Sequence, residues 1–204
     1  MRKIIVLSFI TLDGVMQAPG GPEEDSAGSF PFGGWSVAYW DDVLEKEMEN
    51  QMGQTFDLLL GRTTYDIFAA NWPQMDPDSI INKVNKYVVT SRPLPADTDI
   101  WKNSIQIHGD IPEQMQMLKN AEGPDLQVHG SGQLIQTLLE NHLVDELWLK
   151  IYPLTLGTGK RLFESGTVPA AFKAKECKLT PSGVILAKYE KSGNVTMGLS
   201  FAKE

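Results

Sequence analysis

The sequence predicts an α/β fold of three layers, in which a central, mostly parallel sheet has helices on both faces and a C-terminal antiparallel hairpin. Short apolar segments rich in β-branched residues alternate with segments of helical periodicity, which is the pattern of parallel strands joined by crossover helices. Near the carboxyl end, two strand-like segments flank the turn Thr180-Pro181-Ser182-Gly183, as expected for a hairpin. The 204 residues, without a repeat or a linker, fit a single domain over residues 1–204.

The composition is that of a folded, acidic protein. With 42% hydrophobic and 22% charged residues, wholesale disorder is excluded. The net charge of −8 does not suit a nucleic-acid-binding protein, because phosphate binding needs a basic surface. The one cysteine, Cys177, excludes an intramolecular disulfide. The three histidines have no ligand-like spacing, so we expect no metal site.

The amino-terminal segment indicates a cytoplasmic protein without a membrane partner. Residues 4–10 form an apolar run after Arg2 and Lys3, which resembles a secretion signal, but no small-residue cleavage site follows. No segment approaches the roughly 20 apolar residues that span a bilayer. The acidic charge still allows a small anionic ligand, which needs only a few local donors.

The first half of the chain is expected to alternate strands and helices. Residues 4–9 are apolar and β-branched, as in a strand that is buried on both faces. A long loop with the acidic triplet Glu23-Glu24-Asp25 follows, and loops of this length are often functional. Residues 40–52 predict a helix, because apolar side chains recur there every four residues. Strands are then expected over residues 56–60, 86–90 and 104–108, with a short helix between residues 61 and 73.

The second half alternates in the same way before it reaches the hairpin. Ile111-Pro112 begins a helix to about residue 120, since proline suits the first helical turn. Residues 126–129 predict a strand that leads through Gly130-Ser131-Gly132 into a helix over residues 133–140. The remaining strands are expected over residues 145–152, 172–179 and 184–191, and the pattern also allows a last strand over residues 194–201.

Three of the strand ends carry residues that suit a phosphate. Gly130-Ser131-Gly132 lets the backbone approach a ligand at a helix start, and the alternative is a plain tight turn in which Ser131 caps the helix. Ile135 stands where the third glycine of the common dinucleotide motif would be. Gly61-Arg62-Thr63-Thr64 and Thr90-Ser91-Arg92 add guanidinium and hydroxyl donors. Because ligands bind at the carboxyl ends of parallel strands, these turns predict one shared site.

The order of these motifs resembles the dihydrofolate reductase superfamily, and within it the branch that includes the C-terminal reductase domain of the bifunctional riboflavin-biosynthesis enzyme. The matching segments are residues 8–14 (SFITLDG), 58–65 (LLLGRTTY), 88–92 (VVTSR), 128–134 (VHGSGQL) and 143–159 (LVDELWLKIYPLTLGTG). They span most of the chain, and their combined order is more specific than any one of them. The resemblance implies a dihydrofolate reductase-like domain, and the riboflavin-type relatives suggest a homodimer with the C-terminal strands as the candidate contact.

The resemblance also implies NADPH as the cofactor. In this family the Gly-Arg-Thr turn and the Gly-Ser-Gly helix start hold the phosphates, and the Ser-Arg turn lies near the adenosine 2′-phosphate. Riboflavin-type reductases often carry Glu-Gly-Gly where this chain has His129-Gly130-Ser131, so the chain departs from their pattern at this turn. Carried onto this chain, the cofactor-binding residues would be Gly61, Arg62, Thr63, Thr64, Ser91, Arg92, Gly130, Ser131, Gly132 and Gln133.

The activity that the resemblance implies is NADPH-dependent reduction of a small, planar, nitrogen-containing heterocycle. A hydride would pass from the nicotinamide to a polarised C=N or C=O bond, while the protein orients and shields the reactants. The first candidate substrate is the aminouracil ribosyl phosphate of riboflavin biosynthesis, and a pterin such as dihydrofolate is the second. The alternative is a module that binds NADPH without turnover, as a sensor or a scaffold.

Two carboxylates are candidates for the chemistry. Asp41 precedes Leu44 by three residues and so falls on the buried-facing side of its helix, where it would donate a proton or orient the substrate. The alternative is an acid that only caps the helix start. Asp41→Asn is then expected to slow turnover without abolishing NADPH binding. Asp13, beside the expected nicotinamide edge, would orient the substrate or would only shape a turn with Gly14.

Two further features have both a binding and a structural interpretation. The turn Gly157-Thr158-Gly159-Lys160-Arg161 follows a strand, and in the binding interpretation it contacts a phosphate of the substrate or the cofactor. In the structural interpretation it is a basic turn exposed to solvent. Trp35, Tyr39 and Trp40 precede the first helix, where they would stack on a planar ring or seal the core.

Overall fold

The computed structural model describes residues 1–94, 101–165 and 167–198, which form one eight-stranded sheet. The strands are β1 (Ile4–Thr11), β2 (Phe56–Gly61), β3 (Lys86–Val89), β4 (Ser104–Ile107), β5 (Asp125–His129), β6 (Glu146–Tyr152), β7 (Ala171–Leu179) and β8 (Ile185–Gly193). Their order across the sheet is β4-β3-β2-β5-β1-β6-β8-β7. The strands from β4 to β6 in that order run parallel, and β8 and β7 add an antiparallel hairpin beside β6. The predicted fold class is confirmed.

Helices cover both faces of this sheet. They are α1 (Asp42–Met52), α2 (Arg62–Met75), α3 (Ile80–Lys83), α4 (Ile111–Asn120) and α5 (Gly132–Glu140). Because successive side chains of a strand point to opposite faces, Leu59 packs with α4 and α5, whereas Leu58 and Leu60 pack with α2 and α3. The central strands are therefore apolar on both faces, as their continuous apolar segments predicted. Within the described residues, no helix combines the length and the apolar character needed to cross a membrane.

The chain departs from the expected elements at several places. The α2 helix continues through Pro73 to Met75, because Phe68 and Trp72 pack against the core and hold its last turns. The α3 helix is a single turn, too short to give a periodic pattern. Residues 194–198 form no strand, since Gly193 ends β8 with a positive φ of 115°. The rest of the expected last strand lies outside the described residues.

The long loop between β1 and α1 is held in place by the buried side chain of Gln17. Its Nε2 donates to the carbonyl oxygens of Asp25 at 3.0 Å and Ala27 at 2.9 Å. The Trp35 indole donates to the Gln17 carbonyl at 2.7 Å, and the Lys160 backbone N–H donates to Gln17 Oε1 at 3.0 Å. The loop is thus fixed over the carboxyl edge of the sheet, where it forms part of the wall of the candidate site.

Candidate functional site

Three adjoining cavities lie at the carboxyl edge of the parallel strands. The arginine cleft, about 860 Å³, contains Arg62 and Arg92 at the ends of β2 and β3. The middle groove, about 370 Å³, lies between the starts of α2 and α5 and contains Thr64 and Ser131. The aromatic cavity, about 610 Å³, is lined by α1 and α2 and contains Phe68. Arg62 lines both the cleft and the groove, and Phe68 lines both the groove and the cavity, so the three are continuous.

The structure brings all of the predicted cofactor-binding residues to these cavities. The parallel register of β2 with β3 and with β5 aligns the turns that follow these strands. Six of the predicted residues line the arginine cleft, namely Gly61, Arg62, Thr63, Ser91, Arg92 and Gln133. Of the others, Thr64, Ser131 and Gly132 line the middle groove, and Gly130 lines the aromatic cavity.

The arginine cleft is a cationic site, and its described lining contains no carboxylate. The Arg62 guanidinium donates from Nε to Asp66 at 2.8 Å and from Nη1 to the Pro93 carbonyl at 3.1 Å, which fixes its direction. Arg92 is exposed, and its backbone N–H donates to Thr90 Oγ1 at 3.1 Å. Guanidinium and hydroxyl groups in this arrangement suit a phosphate monoester.

The turn before α5 connects two of the predicted phosphate-binding turns. Gly130 and Ser131 both adopt the left-handed conformation, with φ of 60° and 68°, which is uncommon for a serine. Ser131 stands at the N-cap position but makes no capping hydrogen bond; its Oγ accepts instead from the Gly61 N–H at 2.9 Å. The first N–H groups of α5 therefore have no side-chain cap at the place where Gly132 and Gln133 line the middle groove.

The aromatic cavity is an apolar slot that suits a planar ring. Trp35 and Tyr39 pack edge-on against Tyr152 in the core, so of the three aromatic residues before α1 only Trp40 lines the cavity. Aromatic faces of this kind stack on flat heterocycles. The large apolar side chains of the lining include Phe9, Trp40, Met48, Met52, Phe68 and Trp72.

Lys150 is a buried cation at the floor of the aromatic cavity, and sequence reasoning missed it. It lies on β6 with 3% of its surface exposed, and its Nζ donates to Gln51 Oε1 at 2.8 Å. Burial lowers the pKa of Lys150 to about 8, so the ammonium form still predominates at neutral pH. The available signal was a lysine inside an otherwise apolar strand segment, which is uncommon without a function or a partner.

Glu24 lies where the middle groove meets the aromatic cavity, since it lines both. Its Oε2 accepts from the Gly20 N–H at 2.6 Å. Burial raises the pKa of Glu24 above its ordinary value, and the hydrogen bonds from Gly20 and Gly21 offset only part of this effect. In the sequence this residue is one acid of a triplet in a long loop, and its position at the junction becomes visible only when the loop is folded.

His129 is a neutral imidazole in the wall of the aromatic cavity. Its Nε2 lies 3.0 Å from Gln127 Oε1, and the Phe68 ring packs against it at 6.3 Å between centroids. Burial, and then the charge of Lys150, lowers the pKa of His129 to about 3. Among the described residues, no group of three or more His, Cys, Asp or Glu side chains could hold a metal ion.

Asp41, a predicted catalytic residue, does not line any of the three cavities. It is the N-cap of α1: Oδ1 accepts from the Leu44 N–H at 2.9 Å, and Oδ2 accepts from the Ser182 N–H at 2.9 Å. Desolvation opposes its ionisation, but these hydrogen bonds outweigh that effect and lower the pKa of Asp41. A carboxylate that stays ionised is a poor proton donor. The structure thus gives Asp41 the capping role, and its catalytic role stays a prediction without geometric support.

Asp13, the other predicted catalytic residue, also lies outside the three cavities and fixes the turn after β1. It accepts from Thr11 Oγ1 at 2.5 Å and from the Gly157 N–H at 2.8 Å. The Thr11 bond is the main reason that the pKa of Asp13 falls to about 2. Arg161 donates to the Asp13 carbonyl, so the basic turn from Gly157 to Arg161 is bound to the first loop. Lys160 of the same turn lines the middle groove, so the predicted contact of this turn with a phosphate stays a prediction.

Solved structures of other proteins define the class of fold. A putative riboflavin biosynthesis protein from Shewanella sp. PV-4 is similar, with a TM-score of 0.64 and 19% identity, over 93% of this chain and 99% of that one. A dihydrofolate reductase from Enterococcus faecalis, complexed with NADP(H) and RAB-propyl, is similar with a TM-score of 0.59 and 14% identity, over 93% of this chain and 96% of that one. The fold is therefore dihydrofolate reductase-like, as the sequence predicted.

The family comparison is more specific than the fold. The RibD C-terminal domain family matches residues 2–186, and the chain belongs to that family. Among curated relatives, the uncharacterized protein YyaP of Bacillus subtilis (strain 168) is 28% identical over 201 residues, which cover 94% of this chain and 96% of that protein. The family resemblance that the sequence motifs indicated is confirmed.

Proposed function

We propose that the protein is an NADPH-dependent reductase of a small, planar, nitrogen-containing heterocycle. The observation that carries this proposal is the continuity of a cationic cleft with an aromatic cavity, which suits a phosphate-bearing cofactor beside a flat ring. Membership in the RibD C-terminal domain family supports the same reaction class, as does the similar fold of a dihydrofolate reductase that was complexed with NADP(H).

The residues of the cleft and the groove have the chemistry that NADPH needs. Arg62, Ser91 and Arg92 would hold the 2′-phosphate with charge-assisted hydrogen bonds. The start of α5 at Gly132 and Gln133 would hold the pyrophosphate. A Cβ added to Gly132 would meet nothing within 4 Å, so the backbone faces open space there and a ligand can approach it closely.

The chemistry divides between the cofactor and the protein. When bound, NADPH supplies a hydride to a polarised C=N or C=O bond. Trp40, Phe68 and Trp72 hold the ring of the substrate and exclude water from it. Glu24 lies at the junction of the groove and the cavity, and burial raises its pKa, whereas hydrogen bonds lower the pKa of Asp13 and of Asp41. Glu24 therefore replaces Asp41 as the group that we propose donates the proton.

Two substrate classes are consistent with the family. The aminouracil ribosyl phosphate of riboflavin biosynthesis is the first, and a pterin such as dihydrofolate is the second. The alternative, a sensor or scaffold that binds NADPH without turnover, predicts that neither compound stimulates NADPH oxidation. The expected homodimer stays a prediction.

Separate titrations with NADPH and NADH, followed by tryptophan fluorescence, test the cofactor. We expect NADPH to bind at least about tenfold more tightly, because only NADPH offers the arginines a 2′-phosphate. Arg92→Ala should remove most of that preference, whereas Lys173→Ala, on the exposed part of β7, should leave it unchanged. Equal binding would contradict the assignment of Ser91 and Arg92, and no binding of either cofactor would contradict the reductase.

A further inference from the structure

The aromatic cavity has a charge pattern opposite to that of the arginine cleft. Besides Glu24, the proposed proton donor, its described lining includes the carboxylates Glu45, Glu49 and Asp76, and none of these three forms an ion pair with a described residue. Glu45, Glu49 and Asp76 are exposed, so they surround the approach to the cavity. A phosphate is therefore attracted to the cleft end of the site and repelled from the cavity end.

Lys150 is the one lysine or arginine in the described lining of the aromatic cavity. Of its three protons, one is donated to Gln51, and Lys150 forms no ion pair with a described residue. Glu47, whose charge acts on Lys150, is itself paired with Lys188 at 3.0 Å. The centroid of the Phe9 ring lies 5.3 Å from Lys150 Nζ. A buried ammonium with unused N–H groups is costly unless a ligand supplies an acceptor.

A lone ammonium among carboxylates is selective for the kind of acceptor that it binds. A phosphate is usually held by several donors, such as a guanidinium fork or a helix start, and the described lining of the aromatic cavity contains no arginine. A carbonyl or ring-enolate oxygen needs only one or two N–H donors. The aromatic side chains beside Lys150 suit the flat ring that would carry such an oxygen.

We propose that the substrate of this reductase carries no phosphate and presents a carbonyl or ring-enolate oxygen to Lys150. The inference rests on the proposed function and narrows it. Of the two substrate classes, it favours an unphosphorylated ring and disfavours the aminouracil ribosyl phosphate. The phosphates in the site are then those of the cofactor alone, held in the arginine cleft and the middle groove.

The test uses two ligands that differ only in the phosphate, 5-amino-6-ribosylaminouracil and its 5′-phosphate. Each is titrated calorimetrically into the protein saturated with NADP⁺, so that no turnover occurs. We expect the unphosphorylated compound to bind at least about tenfold more tightly. Lys150→Met should weaken the binding of the unphosphorylated compound about thirtyfold and leave NADP⁺ affinity unchanged. A merely structural role of Lys150 would change both affinities. Lys173→Met removes an exposed lysine of β7 that does not line the aromatic cavity, and it should leave both affinities unchanged.

Three results would overturn this inference: equal or tighter binding of the 5′-phosphate, unaltered binding to Lys150→Met, or no binding of either compound to the NADP⁺ complex. Failure of NADP⁺ itself to bind would instead contradict the proposed function, so the two failures are distinguishable. The comparison of the two ligands on the unchanged protein remains decisive even if a variant does not fold.

Discussion

Carboxylates of this chain acquire different roles from their surroundings. Glu24 is partly buried, its Oε2 accepts a hydrogen bond from the Gly20 backbone N–H, and burial raises its pKa. Asp41 accepts from Val43, Leu44 and Ser182, and these bonds lower its pKa despite the opposing effect of desolvation. A proton donor needs an environment that raises its pKa, as at Glu24, whereas a helix cap needs the backbone N–H donors found at Asp41. The residue type, which is all that a sequence shows, does not separate them.

Glu24→Gln tests the proton donor directly. The amide has nearly the same size but cannot donate a carboxylic proton, so kcat for NADPH oxidation in the presence of the heterocyclic substrate should fall about 100-fold or more. NADPH affinity should be unchanged. Glu23→Gln is the matched control, because Glu23 is exposed and lines neither the middle groove nor the aromatic cavity. An unaltered kcat in Glu24→Gln would mean that the proton comes from another source, such as water.

The start of α1 shows how one side chain joins two elements. Asp41 bonds Leu44 of α1 and Ser182 of the β7–β8 turn, so it ties the helix to the hairpin. Asp41→Ala should lower the midpoint of thermal unfolding by about 2–4 °C, since a lost cap destabilises a domain of this size by that amount. Circular dichroism would measure this change, and Asp42→Ala, at an exposed position of the first turn, should cause a smaller one. Asp41→Ala should still turn over its substrate. If Asp41→Asn slowed turnover without a change in stability, that result would support the catalytic role of Asp41 that the sequence predicted.

Elements with a local signal were predictable from the sequence, and contacts between distant segments were not. The apolar segments predicted the parallel strands, the turn at Ser182 predicted the hairpin, and the structure contains both. The strand ends also predicted which residues line the arginine cleft and the middle groove, because their position depends only on strand order and direction. Ser131 instead bonds Gly61, 70 residues away, and Lys150 bonds Gln51, 99 residues away. No periodicity or motif encodes such pairs, so the positions of Lys150 and Glu24 in the candidate site appeared only in the folded chain.

At the scale of the whole molecule, the charges are segregated along one groove. The net charge of −8 argued against nucleic-acid binding, but it concealed a local cationic cleft at Arg62 and Arg92. The opposite end carries unpaired carboxylates around the buried Lys150. Because opposite potentials at the two ends orient a ligand with one charged end, this segregation would favour a single direction of binding for the proposed cofactor.

Two buried lysines should make the free energy of unfolding rise with pH in the alkaline range. Burial lowers the pKa of Lys86 and that of Lys150 to about 8, from 10.5 in a solvated chain. Between these values the folded chain binds fewer protons than the unfolded chain, so the free energy of unfolding increases as pH rises. We expect an increase of about 1–3 kcal/mol between pH 8 and pH 9.5, measured by urea unfolding.

The same measurement should show where the rise ends and which residues cause it. Above about pH 10 the curve should turn down, because burial raises the pKa of Tyr152 and the hydrogen bond to Glu146 raises that of Lys3. These groups keep protons that the unfolded chain releases. The double variant Lys86→Met/Lys150→Met should lose the rise, whereas Lys173→Met on exposed β7 should keep it. A flat or falling curve in the unchanged protein would show that the two ammonium groups are solvated in the folded chain, and Lys150 would then lack the buried charge on which the proposed substrate selection depends.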